Sequence, residues 1–180
     1  MHFISLQYTY NDPVNNKLLI IFGKPGAGKS YVAEILQKQF GYFSFNGDDA
    51  LPADMKKKLF KKEKITDDMR DRFADHMIAM INTLISQHTY LVVHQTFLKE
   101  FMRKMLLEVF PDAQCILIEC DDTVREQRYM KRGYFNLGLP YLRLMTDLFE
   151  PAGIPHKTIN NNKNGTTDIL NQLKLLKIIF

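Results

Sequence analysis

Gly23-Lys24-Pro25-Gly26-Ala27-Gly28-Lys29-Ser30 matches the P-loop pattern G-x-x-x-x-G-K-[ST] at every fixed position. Glycines there let the main chain turn tightly and bring its N–H groups onto phosphate oxygens. A helix starting at the end of the loop adds its positive dipole end. Lys29 is expected to reach the β- and γ-phosphates, and the Ser30 hydroxyl to hold Mg²⁺. ATP and Mg²⁺ are thus the implied cofactors, with nucleotide contacts running from Gly23 through Ser30 to Tyr31. The competing reading is a glycine-rich turn that merely caps a core helix.

A second set of groups suits phosphoryl transfer. Asp48 and Asp49 follow a strand-like segment, where a carboxylate can accept a hydroxyl proton, orient an acceptor or help hold Mg²⁺. Asn46-Gly47-Asp48-Asp49 also has the composition of an Asx turn, and both readings stand. Arg125, Arg128 and Arg132 fall on one helix before the loop Gly133-Tyr134-Phe135-Asn136. Arginines at the root of a lid can swing in to neutralise the transferred group while the loop excludes water. Surface ion pairs with Asp121, Asp122 and Glu126 are the alternative, and the better account of Arg125. Arg70, Lys99 and Arg103 are candidates for an anionic acceptor. His76 and His94 lack metal-ligand spacing with other His or Cys residues and are read as non-metal, and no acid ends the third strand, which argues against a motor or switch ATPase.

The elements that position these groups alternate along the chain. Leu18–Phe22 is an unbroken apolar run typical of a buried parallel strand. Further strands are expected at Tyr42–Phe45, Tyr90–Val93, Ile116–Ile118 and Lys157–Ile159. Helices are expected after the P-loop up to Gly41, from Pro52, from Thr66 as N-cap, over Leu98–Phe110, Thr123–Arg132, Tyr141–Phe149 and Thr167–Ile178. The stripe Met69, Phe73, Met77, Met80, Ile81, Leu84, Ile85 reads as core. Such alternation predicts an α/β fold, a five-stranded parallel sheet with helices on both faces and a small lid around 128–139. Ligands in such sheets gather at the carboxyl ends of the strands, so the P-loop, Asp48/Asp49 and His94-Gln95-Thr96 should meet in one cleft. Residues 1–16 form an extension in which His2–Tyr10 has strand character. Residues 17–180 make one domain.

Bulk properties exclude several classes. The 180 residues carry a net charge of +4 and 46% hydrophobic residues, ordinary values for a globular domain. The basic run Lys56-Lys57-Lys58, Lys61-Lys62, Lys64 reads as a solvated helix face rather than a nucleic-acid stripe. Cys115 and Cys120 suit a reducing compartment. No segment has transmembrane length or signal-peptide layout, so a cytoplasmic monomer or homodimer acting on a small metabolite is expected, with no membrane or nucleic-acid partner.

From Lys17 onward the layout resembles the gluconate kinase branch of the small P-loop metabolite kinases, with shikimate kinase as a cousin. Phe45-Asn46-Gly47-Asp48-Asp49-Ala50-Leu51-Pro52 is similar to the family's aspartate-glycine-aspartate segment, Asp48 matching the second aspartate and Asn46 replacing the first. Ile65-Thr66-Asp67-Asp68-Met69-Arg70 is similar to its segment ending in aspartate-arginine. Val93–Lys99 and Arg103 match a stretch with basic residues, and Arg128–Phe135 and Met145–Pro151 complete the order. The resemblance implies an acceptor-site role for Arg70, Lys99 and Arg103, and phosphate contact for Arg128 or Arg132. It also implies adenine packing near Asn160–Asn164. Arg72-Phe73 stands in place of proline-tryptophan, and His94-Gln95-Thr96 in place of small residues lining the acceptor pocket.

The expected activity is ATP-dependent phosphoryl transfer to a hydroxyl of a small anionic metabolite, a gluconate-like sugar acid first. Lys29, Asp48, Arg128 and Arg132 would be catalytic; Asp48, Arg70, Lys99 and Arg103 would bind the acceptor; Ser30 and Asp48 would serve the metal. The alternatives are a nucleoside, nucleotide or polynucleotide-end kinase, and a nucleotide-binding regulatory module with little turnover.

Overall fold

A computed structural model describes residues 17–133, 137–163 and 165–178. The strand expected at 2–10, the lid positions 134–136 and Asn164 lie outside the described residues. Five strands, β1 (Lys17–Phe22), β2 (Phe43–Asn46), β3 (Tyr90–His94), β4 (Gln114–Glu119) and β5 (Lys157–Asn160), form one sheet in the order β2-β3-β1-β4-β5. Every pairing is parallel. The apolar run of β1 is explained by its central place, since strands covered on both faces have no side to give to water. Its residues alternate between two cores. Leu18, Ile20 and Phe22 face one, and Leu19 and Ile21 the other.

Helices α1 (Lys29–Phe40) and α7 (Thr166–Leu175) cover the second core. The first lies under α2 (Ala53–Phe60), α3 (Asp67–Ile85) and α4 (Glu100–Val109). Within α3, Met69, Phe73, Met77 and Ile81 are buried, as the stripe required. Thr66 Oγ1 accepts from the Met69 N–H at 3.3 Å, so the N-cap chemistry is also present. Two further helices, α5 (Asp122–Lys131) and α6 (Leu139–Asp147), flank the lid positions.

The boundaries differ from expectation where tertiary contacts intervene. The helix expected from Leu98 starts at Glu100 because the Glu150 carboxylate accepts the Glu100 N–H at 2.8 Å and caps it from another segment. The helix expected from Tyr141 starts at Leu139, with Pro140 in its first turn where a missing N–H costs nothing. Among the described residues no helix is long and apolar enough to cross a membrane.

Candidate active site

β1 delivers the P-loop to the centre of the sheet's carboxyl edge, between the ends of β3 and β4. Gly28 has φ 99° and caps α1. A Cβ there would stand 2.1 Å from Asn161 Nδ2, so both backbone angle and space demand glycine. The loop is braced from behind by side chains that end on its carbonyls. Arg125, only 2% exposed, donates from Nη1 to Pro25 O at 3.1 Å and pairs with Asp122 Oδ1 through Nε and Nη2. Asn161 Nδ2 donates to Ala27 O at 2.9 Å. The ion pair expected for Arg125 is therefore present, together with a loop contact that spacing alone did not reveal.

Lys29 Nζ donates to Gly23 O at 2.9 Å and Lys24 O at 3.1 Å, closing the loop on itself. Burial pushes its ammonium down to about 7, opposed by Asp48 and assisted by Arg132 and Arg125. A phosphate placed in the loop would supply the missing counter-charge. Ser30 is exposed, its Oγ 3.4 Å from His94 Nδ1. Tyr31 points elsewhere, with its hydroxyl 2.9 Å from Thr166 Oγ1, tying α1 to α7.

At the end of β2 the two sequence readings of Asp48 coincide. The Asp48 N–H donates to Asn46 Oδ1 at 3.1 Å, an Asx turn, and that turn aims the carboxylate at Gln95, whose Nε2 donates to Asp48 Oδ1 at 2.8 Å. Gln95 Oε1 in turn accepts the Thr96 N–H. Gly47 is confined here, since a Cβ on it would lie 2.8 Å from Gln95 Cβ. Asp49 is exposed and engages Lys56 only through its carbonyl. His94 is 6% exposed. Burial, with the Lys29 charge nearby, pushes its imidazole down to about 4, partly opposed by Asp48.

Arg70 is also 6% exposed. Its Nη1 donates to Ile65 O at 3.0 Å, Asp67 Oδ1 stands 4.0 Å from Nε, and Nε has no hydrogen-bond partner. Tyr141 lies within electrostatic reach of this group. Burial pushes its phenol up to about 12, with Tyr129 and Asp48 adding to the rise and Arg70 and Arg132 opposing it. Gln95 as the partner of Asp48 and Tyr141 as a neighbour of Arg70 were not found by sequence reasoning. The first had a signal, a large amide where small residues were expected; the second had none.

Two expected acceptor ligands are placed differently. Arg103 is 1% exposed and pairs with Glu100 Oε2 at 2.7 Å. Its Nη2 donates to Glu150 O and Pro151 O at 2.9 and 3.1 Å, between the rings of Phe22 and Phe149. It fastens the 149–151 segment and is committed to these contacts rather than exposed to a cleft. Lys99 Nζ is paired with Glu150 Oε1 at 2.8 Å. Arg128 donates to Asn161 O at 2.7 Å and Asn162 O at 3.0 Å, fixing the loop after β5 rather than hanging free in a lid. Arg132 lies over the Tyr129 ring at 4.1 Å and is close enough to Lys29 to affect its charge.

Among the described residues no group of three or more His, Cys, Asp or Glu side chains could hold a metal ion unaided. A nucleotide-borne Mg²⁺ needs less. It takes one or two protein ligands, with phosphate and water completing the shell, and the Ser30 hydroxyl and Asp48 carboxylate fit that demand. On the far side of the P-loop a cavity of about 210 Å³ opens between Lys24, Ile118, Cys120, Arg125, Phe149 and Asn160. It is smaller than the roughly 300–1,000 Å³ of a typical ligand pocket.

No curated protein matches the chain in sequence. A family model described as AAA domain matches residues 18–152, more than half of the chain. Among solved structures, a sugar kinase from Janibacter sp. is 17% identical, with a TM-score of 0.77 over 91% of this chain and 95% of that one. A gluconokinase from Sinorhizobium meliloti is 21% identical, with a TM-score of 0.72 over 90% and 94%. The APS kinase of Mycobacterium tuberculosis, solved with AMPPNP and APS, is 14% identical, with a TM-score of 0.64 over 90% and 99%. At such identities the likeness is one of fold, and it agrees with the P-loop kinase architecture built above.

Proposed function

The chain belongs to the AAA domain family, and from that premise we propose that it is an ATP-dependent kinase of a small anionic metabolite. The observation that carries this reading is Asp48, held by Gln95 at 2.8 Å at the carboxyl end of β2, within electrostatic range of Lys29. Lys29 exchanges its two loop carbonyls for β- and γ-phosphate oxygens and neutralises charge that builds during transfer. Ser30 and Asp48 would hold the Mg²⁺ that enters with the nucleotide, which would supply neutralisation of phosphate charge. Asp48 accepts a hydrogen bond from the acceptor hydroxyl, orients its oxygen towards the γ-phosphorus and takes its proton as the new P–O bond forms and the bond from the γ-phosphorus to the β,γ-bridging oxygen breaks, with ADP leaving. Arg70 offers its unpartnered Nε to an acidic group on the acceptor, and Tyr141 closes the same side. Arg132 enters from the lid.

A gluconate-like sugar acid is the first acceptor to try. The test is ATP consumption with Mg²⁺ against sugar acids, shikimate, nucleosides, nucleotides and polynucleotide 5′ ends. Turnover dependent on a sugar acid supports the reading. Base-dependent turnover favours a nucleoside, nucleotide or polynucleotide-end kinase instead. Tight ATP binding with no acceptor-dependent turnover favours a regulatory module.

A further inference from the structure

The strand order puts one residue between the two groups assigned to the cation. Ser30 follows the loop of β1 and Asp48 follows β2; β3 runs between them and ends at His94. In the register of the sheet His94 is paired with Ile21 on one side and Asn46 on the other. Its ring is 6% exposed and its Nδ1 points at Ser30 Oγ, 3.4 Å away. The buried residues Leu91, Val92 and Val93 hold the strand beneath it, so the ring is ordered by folding before any ligand arrives.

We propose that His94 is itself a ligand, through Nδ1, of the divalent cation that enters with the nucleotide, and that the site therefore favours a borderline metal such as Co²⁺ over Mg²⁺. Two adjacent ligands of a six-coordinate cation with bonds of about 2.1 Å stand roughly 3 Å apart. The spacing of Ser30 Oγ and His94 Nδ1 is a few tenths of an ångström wider, a gap that a side-chain rotation closes. The lone pair of Nδ1 that would accept the Ser30 proton is the one that would bind metal, and a cation at the hydroxyl displaces that hydrogen bond. Imidazole is a poor match for Mg²⁺, which prefers oxygen and loses water reluctantly, and a good one for the later first-row metals. The shell would hold Ser30 Oγ, His94 Nδ1, phosphate oxygens and water, with Asp48 bound directly or through one of the waters.

This inference rests on nucleotide binding at the P-loop but not on catalysis, and it is tested without turnover. The full chain is loaded with Mn²⁺ and the β,γ-methylene analogue of ATP, and the electron spin echo is recorded with natural-abundance and ¹⁵N-histidine protein. Nitrogen modulation that changes frequency with histidine labelling is expected. Its absence while Mn²⁺ and analogue are both bound overturns the proposal, leaving His94 as a hydrogen-bond acceptor for Ser30. Equilibrium titration gives a second reading. The Co²⁺ to Mg²⁺ affinity ratio of the analogue complex is expected to fall at least about tenfold in His94→Asn, with metal-free analogue affinity retained. An unchanged ratio in a folded variant also overturns it. Should that variant not fold, the labelled wild-type protein decides alone. Failure of the wild-type chain to bind the analogue with any metal would sink the P-loop reading and this inference together.

Discussion

The two flanks of the central strand treat their polar side chains differently. On the β4 and β5 side, Arg125, Arg128 and Asn161 end on the carbonyls of Pro25, Asn161, Asn162 and Ala27. On the β2 and β3 side, Arg70 keeps a buried Nε without a hydrogen-bond partner, and Asp48 has one oxygen held by Gln95. A buried guanidinium nitrogen without a partner costs free energy unless something arrives to meet it. The first flank commits its cationic side chains to loop carbonyls, leaving only Asn161 Oδ1 unpartnered there among the buried side-chain atoms described; the second leaves a guanidinium nitrogen of Arg70 unmet. Under the proposed function, a phosphate loop is best rigid before ATP arrives, whereas an acceptor pocket gains specificity by leaving groups for the right molecule to satisfy.

The largest effect should come from the residue that serves both flanks. Lys29→Ala is expected to lower acceptor-dependent kcat by about 10³-fold while leaving the fold intact, read by steady-state kinetics beside circular dichroism. Wild-type turnover in that variant would remove the P-loop from the mechanism. Asp48→Asn should cost about 10²-fold in kcat with little change in nucleotide affinity. A change confined to nucleotide affinity would make Asp48 a metal ligand alone.

The contrast itself is tested by a pair of substitutions. Arg125→Met leaves the Pro25 carbonyl unpaired in the interior and should destabilise the protein by about 3 kcal/mol, read in a denaturant titration. Arg70→Met should instead raise acceptor KM about tenfold with a smaller loss of stability. If the two variants behave alike, the flanks are not divided as described.

The mildest effect concerns protons. Without nucleotide, burial pushes the Lys29 ammonium down from its ordinary 10.5 to about 7. Between these values the folded protein holds fewer protons than the unfolded chain, so its stability rises with pH across that window. Phosphate binding restores the proton. Nucleotide binding should then take up almost no proton at pH about 6 and close to one at pH about 8.5, and affinity should fall as pH rises. Calorimetry in two buffers of different ionisation enthalpy measures the uptake, and zero uptake at the higher pH would refute the assignment.

Legibility followed the same division. The apolar run before Gly23 and the alternation of strands and helices revealed the sheet, because central parallel strands and amphipathic helices leave strong periodic traces. The P-loop was legible because its chemistry is local, eight consecutive residues acting on one group. The acceptor side depends on contacts across long stretches of chain. Arg70 and Arg103 looked alike as helical arginines; only packing shows one within range of Tyr141 and the other under Phe149. Arg128 looked like a lid residue and turned out to hold the β5 loop, because a helix-spacing argument cannot say what lies opposite the helix. Gln95 was visible as an oddity, but its bond to Asp48 spans 47 positions and has no signature in sequence.

The place of β1 in the sheet has a consequence for how the molecule is made. β1 and its phosphate loop leave the ribosome well before their partners, β3, starting at Tyr90, and β4, starting at Gln114. The Asn161 amide that pins Ala27 lies 134 positions downstream. During synthesis the sticky segment Leu18–Phe22 therefore waits unpaired until β3 has emerged, and such long-range parallel pairing is slow. The phosphate loop precedes the residues that brace it, Arg125 and Asn161, and is among the last parts of the domain to be finished. A chain halted before Asn161 would carry a complete P-loop sequence with no pocket around it, and would be a client for chaperones rather than a nucleotide binder.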